Sequence, residues 1–216
     1  MRISPPRRPA RDRVALAALL ALAMSSPPVL AEDIAAGGLV FSDREGGFEL
    51  LGVTGNGTLE DPFVITERIT GSAPAVLVIE GVVPGFGNRA RSNHFASFVV
   101  VKRVINATDD DWQSFRMELR EEIDRPSDYN DGLSFGQERD PQRVFEADRY
   151  ADIRIVDEPA DSLLFERGLV APGEWATFRF VVTHNAPGPT LYLVQLRETP
   201  LSLDLESGVD VWPIIR

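Results

Sequence analysis

The side chains of this chain that most readily bind metal ions or transfer protons are its many acids and its two histidines, and cysteine is absent. The clearest ligand-like spacing is the run from Asp128 to Gly132, in which oxygen-bearing side chains precede a glycine. Part of a calcium-binding loop has this pattern, because oxygens from alternating residues surround the ion. The glycine comes one position too early, however, and no bidentate Glu follows at the required distance. We therefore predict a turn without metal, with Asp128, Asn130 and Asp131 as the candidate ligands if calcium binds.

The two histidines, His94 and His184, are too few for a His-rich metal site. Each lies at the end of a predicted strand, so the two could be neighbours at one edge of a sheet structure. Ser92 and Ser97 flank His94, but the Gly-x-Ser-x-Gly elbow of serine hydrolases is missing. We predict no catalytic residue and no cofactor. A glycan-acting hydrolase with paired carboxylates stays open as an alternative, because the acids are numerous enough to pair in many ways.

Composition excludes several classes of partner and site. The chain has 216 residues and a formal net charge of -11, which disfavours binding to nucleic acid or to anionic membranes. Without cysteine there is no disulfide, no thiolate metal site and no lipidated cysteine. The fold must therefore depend on its hydrophobic core, for which the chain is long enough.

The first 31 residues have the three parts of a secretory signal peptide. Residues 1–13 contain five arginines, and the run 14–24 that follows is apolar. Val29 and Ala31 are small or apolar residues just before the predicted cleavage site. An 11-residue helix is about 17 Å long, too short for a hydrocarbon layer of roughly 30 Å. We predict cleavage after Ala31, with Val29 and Ala31 recognised by signal peptidase. The product would be periplasmic or secreted, without a stable membrane anchor.

The rest of the chain alternates between apolar and polar residues with the period of β-strands. In the segment 115–120, Phe115, Met117 and Leu119 would face a core while the residues between them face water. The segment 175–183 alternates in the same way, and Gly- and Pro-containing turns separate the segments. Further predicted strands are 48–53, 63–69, 75–80, 98–105, 151–156, 163–165, 190–197 and 201–205.

This pattern predicts an all-β fold, an antiparallel β-sandwich of about 8–10 strands preceded by the signal-peptide helix, with a barrel as second choice. One domain over residues 38–206 is expected. The alternative is a small β-unit over 38–90 followed by a sandwich over 91–206. The polar segment 124–149 is predicted as a loop with a short helical turn around 141–147.

Two segments resemble immunoglobulin-like β-sandwich modules of exported bacterial proteins. In the first, a strand ends in Asn106-Ala107-Thr108 and the next strand follows Trp112. In the second, the turn Pro172-Gly173-Glu174 leads into a long strand. The resemblance covers roughly residues 98–183 and implies a fold but no activity. The cysteine pair of antibody domains is missing.

These observations favour an exported binding or structural module with a protein or glycan partner. The alternatives are the glycan-acting hydrolase and a calcium-stabilised adhesion protein. Trp112 and Trp212 would support glycan or protein binding if they were exposed on one face, and core packing is the alternative for both. The sequence leaves the oligomeric state open.

Overall fold

The computed structural model describes residues 31–127, 131–136, 145–156 and 160–198, and in these ranges every regular element is a strand. Thirteen strands follow one another along the chain. They are β1 (Asp33–Ala36), β2 (Leu39–Ser42), β3 (Glu49–Thr54), β4 (Phe63–Ile69), β5 (Ala75–Glu80), β6 (Ala96–Asn106), β7 (Ser114–Arg120), β8 (Leu133–Phe135), β9 (Glu146–Ala147), β10 (Tyr150–Val156), β11 (Ser162–Gly168), β12 (Trp175–His184) and β13 (Thr190–Glu198).

The strands form two sheets. The seven-stranded sheet has the order β1-β2-β5-β13-β7-β11-β10, and the six-stranded sheet has the order β3-β4-β6-β12-β8 with β9 also paired to β12. All pairs are antiparallel except β4 with β6. That pair is parallel because β5 lies between them in the chain but belongs to the other sheet, so the chain leaves the six-stranded sheet and returns in the same direction.

One hydrophobic core lies between the two sheets. Alternation turns Phe63 and Phe178 of the six-stranded sheet inward, and they meet rings from the opposite sheet. The Phe41 and Phe63 rings are 5.1 Å apart, and Phe115 and Phe178 are 4.8 Å apart, both distances between ring centroids. Such aromatic pairs stabilise the contact beyond their buried area. The two layers are therefore packed face to face in a sandwich-like arrangement.

The all-β prediction is confirmed, and strands form at nine of the ten predicted segments, with 63–69 and 75–80 at the predicted bounds. The tenth segment, 201–205, lies outside the described residues. The expected number of about 8–10 strands was too low, because β1, β2, β8 and β9 were missed. These strands have two to four residues, too few to develop a recognisable alternation. The prediction that all strands pair antiparallel was also wrong, because β4 and β6 are parallel.

The predicted helical turn around 141–147 is wrong at its C-terminal end, where residues 146 and 147 form β9 against β12. Residues 141–144, and the segment 1–30 with most of the predicted signal peptide, lie outside the described residues. The described residues from Ala31 to Glu198 belong to one compact unit. Strands on both sides of residue 90 pair within each sheet, as β4 does with β6 and β5 with β13. The described residues contain no helix with the length and apolar character that a bilayer crossing requires.

Candidate functional site

The outward face of the six-stranded sheet carries an unusual set of side chains for a solvent-exposed surface. Along β12, Ala176 and Phe178 point into the core, so Trp175, Thr177 and Arg179 point outward. Trp175 is 41% exposed, which is uncommon for the largest aromatic side chain in a strand. In the antiparallel register Trp175 stands beside Ile105 of β6. An exposed indole and a partly buried aliphatic side chain therefore share one outward-facing row.

A shallow cleft of about 390 Å³ opens on the same face, where β9 meets β12. The backbone N–H of Thr177 donates to Oδ1 of Asp148 at 2.8 Å, and the N–H of Asp148 donates to the carbonyl of Thr177 at 3.2 Å. These bonds hold the loop after β9 against β12. The lining residues are Val101, Glu146, Ala147, Asp148, Thr177 and Arg179.

The cleft combines hydrogen-bond donors and acceptors with apolar surface. Arg179 offers guanidinium donors, one of which reaches the carbonyl of Leu59 at 3.3 Å. Glu146 and Asp148 offer carboxylate acceptors, and Val101 supplies an apolar surface. A few placed polar groups on an otherwise apolar concave surface are typical of a site for a small ligand. This cleft, together with Trp175, is the candidate site.

A second polar cluster lies at the opposite end of β12, around His184. The imidazole is 2% exposed, its Nε2 is 2.9 Å from Oε1 of Glu121, and its Nδ1 accepts the N–H of Ala186 at 3.4 Å. Burial lowers the pKa of His184, and the nearby His94 lowers it further, while Asp131 acts in the opposite direction. The two histidines are thus close enough to influence each other, as their strand-end positions suggested.

The candidate calcium ligands are only partly described. Asp128 and Asn130 lie outside the described residues. Asp131 accepts the N–H of Leu133 at 2.8 Å through Oδ1, and its other oxygen accepts a hydrogen bond from the Ser127 hydroxyl. Both contacts are those of a turn. Within the described ranges, no group of three or more His, Asp or Glu side chains is placed to hold a metal ion.

Trp112 is a core residue, 1% exposed, and so does not serve as an exposed platform. Its ring centroid is 5.7 Å from that of Phe115, and its Nε1–H donates to the Thr108 hydroxyl at 3.2 Å. Trp212 and Val29 lie outside the described residues, and Ala31 is exposed just before β1.

Sequence reasoning missed the exposed tryptophan. The alternation that placed Ala176 and Phe178 inward also places Trp175 outward with Thr177 and Arg179, so the signal was present in the chain. It also missed three buried polar side chains in the core, those of Glu67, Lys102 and Gln195. Lys102 is the single lysine of the sequence, and this rarity is the one feature of the composition that could have drawn attention to it.

Comparison of the chain with known protein families, with characterised proteins and with solved structures finds no match. Its function must therefore be argued from the geometry alone.

Proposed function

We propose that this protein is an exported, non-catalytic binding module that holds a glycan on the outward face of its six-stranded sheet. The observation that carries the proposal is the exposed Trp175 on the same face as the 390 Å³ cleft. A sugar presents C–H groups on one face of its ring, which pack on an indole, and hydroxyls around its rim. The hydroxyls match a lining that contains both donors and acceptors, Arg179 with Glu146 and Asp148.

A glycan fits this surface better than a protein segment does. Both β12 and β6 have neighbours on either side, so their backbone groups are engaged in the sheet. A peptide could therefore not pair as a strand with β6 or β12 and would have to bind their outward face through side chains. A shallow cleft that places an arginine, two acids and a threonine beside apolar surface instead suits a ligand that is rich in hydroxyls.

The finer fold assignment, an immunoglobulin-like sandwich, is part of the same proposal. Two sheets sharing one core support it. So does the Asn-x-Thr segment, in which Thr108 accepts the indole N–H of Trp112 and itself bonds Asn106. Fold alone implies no activity, so the binding function depends on the cleft.

Export is proposed from the N-terminal pattern and is supported by the first described residues. The backbone nitrogen of Glu32 donates to Oδ1 of Asp43 at 2.8 Å. Cleavage after Ala31 would make this nitrogen the terminal ammonium group, next to a carboxylate that is only 7% exposed. The position of Asp43 is therefore suited to a chain that begins at Glu32.

The test is binding of the protein to a printed array of oligosaccharides, followed by calorimetry with each oligosaccharide retained. We expect Trp175→Ala to weaken binding at least about tenfold, the effect of losing an aromatic contact of more than about 1.4 kcal/mol. Phe95→Ala is the matched control, because Phe95 is 74% exposed and lies just before β6, at the end far from Trp175. Its binding should be unchanged.

Two results would overturn the proposal. If no oligosaccharide is retained, or if Trp175→Ala binds as tightly as the wild type, the face is not a glycan site. Release of new reducing ends from a bound oligosaccharide would instead assign the cleft to a glycan-acting hydrolase, with Glu146 and Asp148 as the carboxylate pair to substitute first.

A further inference from the structure

Three polar side chains meet in the core between the two sheets. Glu67 of β4, Lys102 of β6 and Gln195 of β13 are all fully buried. The first two come from the six-stranded sheet, and Gln195 reaches them from the seven-stranded sheet. Burying an amine, a carboxyl group and an amide together is costly unless their polar atoms are all satisfied. Here they are not all satisfied, which calls for another explanation.

One carboxylate oxygen contacts both nitrogens of the group. Oε2 of Glu67 accepts a hydrogen bond from Nζ of Lys102 and another from Nε2 of Gln195, the latter at 3.4 Å. The remaining oxygens, Oε1 of Glu67 and Oε1 of Gln195, are buried without a hydrogen-bond partner. The ring of Phe48 lies 5.8 Å from Nζ, so part of the surroundings is apolar.

Burial favours the neutral forms of both ionisable groups. It raises the pKa of Glu67 and lowers the pKa of Lys102, and in each case it outweighs the attraction between the two groups. A neutral amine is a nucleophile, whereas an ammonium group is not. A neutral carboxylic acid can donate a proton to a leaving group.

We propose that Lys102 and Gln195 form an intramolecular amide bond, a covalent link between the central strands β6 and β13 of the two sheets. Nζ of Lys102 attacks Cδ of Gln195, and the new C–N bond replaces the bond from Cδ to Nε2. Glu67 takes one proton from the attacking nitrogen and gives one to the departing nitrogen. The products are the amide cross-link and one molecule of ammonia, and no oxidant, reductant or other reactant is consumed.

The position of Glu67 decides between the two carbonyl carbons that the amine could attack. A proton shuttle must contact both the attacking and the leaving nitrogen, and Oε2 of Glu67 contacts both. The geometry therefore favours Gln195 as the acceptor and Glu67 as the shuttle.

The single lysine makes the test direct. The purified wild-type protein should be lighter than its sequence by the mass of one ammonia molecule in an intact-mass spectrum. Digestion of the denatured protein with a lysine-specific endoproteinase should leave the chain whole, because its one cleavage site is blocked. Arg44→Lys is the matched control for the protease, since its new site lies outside the loop closed by the cross-link and should be cut.

Glu67→Gln and Gln195→Ala should each abolish the mass loss and restore cleavage after Lys102. An unmodified wild-type mass with two proteolytic fragments would overturn the proposal, whether or not the variants fold. A mass lower by one water molecule would also overturn it, in favour of a bond between Lys102 and Glu67. These results are independent of glycan binding, so failure here leaves the proposed function untouched.

Discussion

At the scale of single residues, Asn106 is the side chain on which the loop between β6 and β7 depends. Its Nδ2 donates to the carbonyls of Asp110 and Val170, both at 2.8 Å. Its Oδ1 accepts from the backbone and the hydroxyl of Thr108, at 3.0 Å and 2.6 Å. All the hydrogen-bonding groups of a fully buried amide are thus used, with donors and acceptors in fixed positions.

Asn106→Ala should therefore lower the free energy of unfolding by about 2–4 kcal/mol, since a net hydrogen bond is worth about 1 kcal/mol. Asn106→Asp keeps the shape but turns an acceptor oxygen toward two carbonyls, so we expect a loss at least as large. Urea denaturation measures both. Asn56→Ala is the control, because the exposed Asn56 makes one side-chain bond, to Asp61, and should cost less than about 1 kcal/mol. Wild-type stability of Asn106→Asp would contradict this account.

His184 makes the protein sensitive to acid. In the neutral tautomer Nε2–H donates to Glu121 and Nδ1 accepts from Ala186, so a proton on Nδ1 would face another N–H. The pKa of His184 is lowered in the fold, and so is that of His94, by burial. A lowered pKa means that the unfolded chain binds protons first. The contribution of the neutral histidines to stability is therefore fully present above a pH of about 6.5, the ordinary histidine value, and is lost as the pH falls below it.

We expect the thermal midpoint to fall between pH 7 and pH 5.5, and to fall less in His184→Gln. Glu121, Asp131 and His94 face the imidazole, so His94→Gln is the companion variant that isolates the contribution of the second ring. The same pH series on both variants gives the comparison. A midpoint that is independent of pH in the wild type, or equally dependent in His184→Gln, would show that His184 does not cause the effect.

At the scale of elements, the turn between β2 and β3 contains two adjacent glycines that differ in the space around them. Gly46 and Gly47 have φ angles of 84° and 85°, in the region that disfavours side chains. A Cβ at Gly46 would meet nothing within 4 Å, whereas a Cβ at Gly47 would lie 2.1 Å from the carbonyl oxygen of Pro74. The second glycine lets β3 approach the start of β5.

The two neighbouring glycines form a matched pair for a test. Gly46→Ala should cost about 1–2 kcal/mol of unfolding free energy, the strain of a left-handed alanine. Gly47→Ala should cost more than about 3 kcal/mol, because the backbone of Pro74 must also move. Guanidinium unfolding of both variants measures the difference. Equal costs would mean that the close approach to Pro74 does not constrain the turn.

The sequence predicts those elements whose own residues contain the signal. The strand 63–69 alternates throughout and forms as expected, and Trp175 could have been assigned to the outward face by the same rule. The two residues of β9 have no period of their own and become a strand by pairing with Phe178 and Arg179. The cleft needs this long-range pairing, so only its separate residues could be seen in the sequence. The buried cluster in which Lys102 and Gln195 both contact Glu67 likewise depends on how distant strands of the two sheets face each other.

At the scale of the whole molecule, the charge of -11 includes +4 from the segment 1–31, so cleavage after Ala31 would leave -15. A strongly acidic surface favours solubility and opposes self-association. In such a negatively charged protein, each cation that lies beside an acid also contributes more to the stability of the fold. The new terminal ammonium of Glu32 would be such a cation, next to Asp43, whose other oxygen accepts the N–H of Leu50 at 2.9 Å.

This arrangement predicts that the cleaved terminus stabilises the fold through Asp43. A hydrogen bond involving a charged group contributes about 1.5–3 kcal/mol, against about 1 kcal/mol for a neutral one. Asp43→Asn should therefore cost more in a chain that begins at Glu32 than in a chain that retains Ala31 and one residue before it. Urea denaturation of the four proteins gives the difference, and Asp33→Asn, at an exposed neighbouring position, is the control. Equal costs in the two chain lengths, or an exported protein whose first residue by N-terminal sequencing is not Glu32, would contradict a role of Asp43 in holding the mature terminus.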